Sequence, residues 1–181
     1  MLLLIKEDKK YMRNGYMVVE TTSLHNSVCY SLQSTKALEN GTVVGKGELV
    51  TGEKDIYVAE DDSTDGMFLV ANPAWTYDRY KATDLNEENY INPANMPFRA
   101  YKLEKDMKYK IYNLPDGVAP TKGQFIQFNA GVIEVGGAKL KVVDVEDFGF
   151  PYCIGSAGTA NGDYGHAIGD VMKKYTIQVV G

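Results

Sequence analysis

The chain has 181 residues and a formal net charge of −5, with 44% hydrophobic and 24% charged residues. That balance is globular, and a chain of this length buries enough surface to need no metal or disulfide staple. The acidic surplus comes without any long run of Lys or Arg, so no basic stripe is written for tracking a phosphate backbone and nucleic acid is not an expected partner.

The first residues, Met1 to Ile5, are apolar but far too few for a signal core or a membrane span, and Lys6 to Lys10 turns charged at once. Residues 1–35 read as an N-terminal arm that carries Tyr11 and Tyr16. It offers one strand over Tyr16–Glu20, then a polar Thr/Ser/Asn stretch broken by Val28-Cys29-Tyr30. A soluble protein, intracellular at synthesis, is the expectation, and the Asn40-Gly41-Thr42 sequon is then idle.

From residue 36 onward the pattern is β. Turn dipeptides punctuate the chain at Asn14-Gly15, Asn40-Gly41, Asp65-Gly66, Asp116-Gly117, Gly136-Gly137 and Asn161-Gly162. Such residues tolerate the positive φ that tight hairpins demand. Asp55 to Ala59 alternates, with Ile56 and Val58 on one face and Tyr57 on the other. Met67 to Ala71 is apolar throughout, as a central strand would be, and Asn72-Pro73 stops it.

Residues 74–96 form an excursion from this pattern. Asp84 followed by Glu87 resembles a helix start and Pro93 a stop, which predicts a short helix near 84–91. Strands resume at Phe98–Leu103 and at Lys108–Tyr112. They continue through Gln124–Phe128, Val132–Val135, Lys139–Val143 and Lys174–Val180. In the fifth, Leu140 and Val142 point inward and Lys139 and Lys141 outward; in the last, Tyr175, Ile177 and Val179 share a face. Residues 144–170 form a Gly-rich loop that carries His166. The fold class is mainly β: an antiparallel barrel or sandwich over 36–181, with a short helix and long loops.

Several chemistries can be weighed against these residues. The Gly-rich loop lacks the Lys and Ser/Thr of a phosphate cradle, since Asp170 and Val171 follow Gly169. His25, Cys29, Cys153 and His166 would all have to converge to hold zinc, and their spacing does not favour it. Glu60, Asp61, Asp62 and Asp65 begin like a calcium loop, but Asn72 stands where the closing Glu belongs. With only two histidines and no nucleophile turn, no catalytic residue, cofactor or metal site is expected. Tyrosine is abundant, at 13 residues against 6 Phe and 1 Trp, which favours adhesive surfaces over a reaction centre. The candidate interface residues are Tyr11, Tyr16, Trp75, Tyr77, Tyr80 and His166.

Taken together, Gly45–Val50, Asp55–Ala59, Phe68–Pro73, Pro97–Leu103 and Tyr175–Val180 resemble segments of capsid decoration (cement) proteins of tailed bacteriophages with Gram-positive hosts. The resemblance covers much of residues 40–181, loosely. It implies a β-rich virion protein, made in the host cytoplasm, that binds the exterior of an assembled shell. There it would bridge major capsid protein subunits as a homo-oligomer, often a trimer, without membrane or nucleic-acid contacts and without catalytic residues. Competing readings are another virion component, such as a tail or head-fibre base protein, or a carbohydrate-binding module built on Trp75, Tyr77 and Tyr80.

Overall fold

The structure, a computed structural model, describes residues 17–21, 24, 27–61, 66–73, 90–112, 114–115, 117–149 and 171–181, with backbone only at 148–149 and 171–172. Among the described residues thirteen strands run in the order β1 (Val18–Glu20), β2 (Cys29–Gln33), β3 (Leu38–Glu39), β4 (Val43–Leu49), β5 (Ile56–Glu60), β6 (Met67–Val70) and β7 (Ile91–Asn92). They continue with β8 (Pro97–Leu103), β9 (Lys108–Tyr112), β10 (Phe125–Asn129), β11 (Val132–Val135), β12 (Leu140–Gly149) and β13 (Val171–Val179). The chain is therefore mainly β, as its turn chemistry predicts. No helix occurs among the described residues. Residues 84–89 of the expected helix lie outside them, and Ile91-Asn92 at its expected end pairs as a strand instead.

Five strands close a ring in the order β2-β5-β4-β6-β8, and six form a sheet in the order β1-β9-β13-β12-β10-β11. All these pairings are antiparallel except β2 with β5, which is parallel. That one departs from the wholly antiparallel expectation. Strands β1 and β2 also belong to the sheet and the ring, although both fall within the arm expected over residues 1–35. The reason is visible in β2: Tyr30 and Leu32 alternate into the ring while the intervening Cys29, Ser31 and Gln33 give the segment its polar look.

Alternation sends the two faces of β4, β6 and β8 into different cores. Val44, Phe68, Val70, Phe98 and Ala100 fill the ring with Leu32 and Leu38. Val43, Met67, Leu69 and Leu103 face the other way and meet Tyr109, Ile111, Leu140, Val142, Tyr175, Ile177 and Val179 of the sheet. In β5 the expected alternation holds, with the aromatic side inward: Tyr57 and Ala59 pack on the ring core while Val58 is exposed.

Strand β12 needs an adjustment to stay amphipathic. Val142 pairs with Ile177 and Asp144 with Thr176, so Val143 is an extra residue, a bulge. Strict alternation would turn Asp144 inward and Val145 outward. The bulge reverses the phase and packs Val145 against the core.

Leu69 is fully buried between ring and sheet. Leu69→Ala is expected to cost about 2–5 kcal/mol in urea unfolding. Val58→Ala, on the exposed face of β5, should stay within about 0.5 kcal/mol.

Candidate binding pole

Asn40 sits in the turn between β3 and β4 and is buried with both ends of its amide engaged. Its Nδ2 donates to the Asn72 carbonyl at 2.8 Å, and its Oδ1 accepts the Asn72 N–H at 2.9 Å. The same Oδ1 accepts from Asn92 Nδ2 at 3.0 Å, and that nitrogen also donates to the Leu38 carbonyl at 2.9 Å. Asn72 Nδ2 in turn donates to the Tyr90 hydroxyl at 3.0 Å. Both described ends of the 74–96 excursion, Asn72 on one side and Tyr90 to Asn92 on the other, are thus fastened to one turn. The sequon asparagine has no free amide for a glycan in the folded chain.

The N-terminal segment joins at the same place. Met17 N–H donates to Glu39 Oε2 at 3.0 Å. Gly41, at φ 90°, lets Met17 lie against the turn: a Cβ there would stand 3.3 Å from Met17 Cβ and 3.4 Å from Ile111 Cγ2. Burial pushes the Glu39 carboxyl above its ordinary range, and the Met17 N–H opposes that rise only in part.

Beyond Met17, Val18 pairs with Tyr112, Tyr112 with Lys174, and Lys174 with Glu146. This row leads to the third departure point. Asp147–Gly149 and Val171–Lys173 pair only with each other among the described residues, as a two-stranded ribbon. It runs three residues past the sheet, about 10 Å at the usual rise. Met17, Pro73, Tyr90, Gly149 and Val171, the described residues that border 1–16, 74–89 and 150–170, therefore all lie toward one end of the body.

Charged pairs accompany this register. Lys174 Nζ pairs with Glu20 Oε1 and lies 5.9 Å from the Tyr112 ring centroid. Lys110 reaches Glu146 at 3.9 Å and Lys173 reaches Asp147 at 3.7 Å. The exposed pairs add little energy individually. With 12% of its side chain accessible, Lys174 is screened less by solvent and does more to hold β1 on the sheet.

A second feature packs against the ring core. Tyr30 meets Phe68 and Tyr57 edge-on, with centroids at 5.4 and 6.0 Å. Lys46 Nζ stands 4.0 Å from the Tyr57 centroid and 5.7 Å from that of Tyr30. Its stem covers the rings, and its cation interacts with their faces.

The expected interface residues Tyr11, Tyr16, Trp75, Tyr77, Tyr80 and His166 all lie outside the described residues, as do His25, Cys153 and Asp62 to Asp65. Of the zinc candidates only Cys29 is described, exposed on β2. Asp61 of the calcium-like run pairs with Lys36 at 2.6 Å. Among the described residues no group of His, Cys, Asp and Glu is placed to hold a metal ion. Sequence reasoning missed the asparagine clamp, although a signal was present: Asn72-Pro73 and Asn92-Pro93 bracket the excursion as matching dipeptides. Comparison with protein-family models, with characterised proteins and with solved structures finds no match.

Asn40→Ala removes two acceptor contacts and one donor contact from a buried network, so it is expected to destabilise by roughly 3 kcal/mol. Hydrogen exchange should show the 72 and 92 amide regions opening before the ring. Glu39 gives a pH test. Its folded pKa is raised, so the ionised carboxylate costs stability above that pKa, and the cost disappears below the ordinary value of 4.5. Glu39→Gln keeps an acceptor for Met17 and should match or exceed the parent in melting temperature at pH 7, with the difference shrinking as pH falls toward 4.5.

Proposed function

We propose that this chain is a virion structural protein that binds the outside of a tailed-phage capsid and stabilises it by bridging major capsid subunits. The observation that carries the reading is the shared origin of its long connections. The described residues that flank three segments rich in Tyr, Trp or Gly lie toward one end of a doubly cored β body, so contacts made by each segment would act on the same neighbourhood of a partner. Linked weak contacts raise one another's effective concentration, which suits a protein that must hold many identical lattice points under load. The loose resemblance of much of residues 40–181 to capsid decoration proteins supplies the shell as the partner, and a homo-oligomer as the bridging form. The chemistry invoked is binding alone, with no cofactor or catalytic step.

Purified chain mixed with expanded empty capsids that lack it should decorate their outer surface at micromolar concentration, as seen by electron microscopy. Bare particles after such mixing would remove the shell from the reading. Trp75→Ala and Tyr80→Ala should weaken decoration while leaving the melting temperature within a few degrees of the parent. Loss of glycan binding on Trp75→Ala, with decoration intact, would move the aromatics to the carbohydrate reading.

A further inference from the structure

Strand β11 borders the six-stranded sheet and, among the described residues, pairs on one side only, with β10. The two strands are joined by Ala130-Gly131, at φ 50° and 86°, the positive pair that a two-residue hairpin uses. In such a hairpin the flanking pair, Asn129 with Val132, exchanges both backbone hydrogen bonds, and alternation gives the same role to Gln127 with Glu134. Gly136 continues the series, its N–H donating to the Phe125 carbonyl at 2.8 Å. The backbone groups of 132, 134 and 136 are therefore directed at β10. Those of Ile133 and Val135 point to the free edge, and no strand lies beyond them among the described residues.

Native edges are ordinarily blunted by Lys, Pro or a bulge. The sequence Val132-Ile133-Glu134-Val135 has none of these. Val132 is 60% exposed and Val135 49%. Its one charge is Glu134, exposed, with Gln127 Nε2 at 3.4 Å as its described partner.

We propose that β11 accepts an extended segment of a partner protein, carrying a cationic side chain directly opposite Glu134 and apolar residues beside it. Hydrogen bonds to Ile133 and Val135 would make Glu134 the intervening non-hydrogen-bonded position, where facing side chains come closest, with Cα atoms about 4.5 Å apart. The same geometry argues against a second copy of this chain. A two-fold pairing that used the outward groups of both Ile133 and Val135 would set Glu134 against Glu134 of the other copy, and like charges so placed repel. Centring the two-fold on Ile133 instead gives up part of the ladder. The carboxylate thus discourages self-pairing while selecting a basic strand. This pairing depends on the β11 edge alone and is independent of any binding to a capsid.

The probes are two capped pentapeptides, Thr-Val-Lys-Val-Thr and Thr-Val-Glu-Val-Thr, titrated into the full chain labelled with 15N. The lysine peptide should slow amide exchange at Ile133 and Val135 and bind about fivefold more tightly than the glutamate peptide. In Glu134→Lys, a substitution at an exposed position, the order should invert. Absence of protection by either peptide at millimolar concentration would overturn the proposal, as would equal binding of both. Protection of Ile133 and Val135 that rises with protein concentration alone would also overturn it, since a second copy would then be the occupant.

Discussion

The burial of β6 on both faces is the constraint on which the body depends. All four residues of Met67–Val70 are buried. Phe68 and Val70 belong to the ring core, and Met67 and Leu69 to the core shared with the sheet. Each such side chain contributes on the order of 1.5–3 kcal/mol through burial, so removing β6 would strip both cores together. Ring and sheet are therefore not two modules joined by a linker. They share a wall, and neither can shed the other without exposing Val43, Met67, Leu69 and Leu103. A framework stiffened in this way fixes the relative positions of whatever leaves it.

The asparagine clamp complements that wall in a different currency. Asn40 meets Asn72 through two bonds in opposite directions, so its side-chain amide acts as a short piece of strand where the backbone ladder has ended. Net hydrogen-bond energies are modest, but leaving a buried amide unpaired is expensive, which makes the arrangement more specific than it is strong. An apolar residue at 40 could pack and still leave the Asn72 backbone unsatisfied. The clamp also carries a residual cost: Asn92 Oδ1 and Thr42 Oγ1 are buried without a partner among the described residues. Tyr109 shows the same tension in the sheet core, where burial raises its hydroxyl pKa and no partner for it lies among the described residues.

Much of the body was legible because its signals are local. Met67–Ala71 reads as a central strand from apolarity alone, and the Leu140/Val142 and Tyr175/Ile177/Val179 faces follow from a period of two. What stayed hidden depends on distance. The parallel pairing of β2 with β5 joins segments separated by β3 and β4 and has no sequence mark. The bulge at Val143 appears only as two adjacent valines, and the phase change around it needs Thr176 and Ile177 to become visible. The Ala130-Gly131 turn escaped because alanine at positive φ is uncommon; here the flanking strands impose it. For the binding pole, the aromatic and Gly-rich segments were recognisable by composition. Their common origin was not, because it rests on Met17 reaching Glu39 and Asn40 reaching Asn72 across long stretches of chain.

The borders of the six-stranded sheet are treated unequally, and the inequality has a physical basis. At one border β1 is only three residues long, and Glu20 on it is engaged with Lys174. The projecting ribbon carries Asp147 and Lys173, and Asp144 and Glu146 precede it on β12, so this stretch is charged in both signs. An uninvited strand would have to desolvate several of those charges. At β11 a newcomer meets two exposed valines and a single carboxylate. The cost of approach there is set almost wholly by what faces Glu134. A border guarded by one charge discriminates between partners by sign, whereas one guarded by many charges of both signs refuses nearly all of them. The same strand chemistry thus yields a closed border on one side of the body and a selective one on the other.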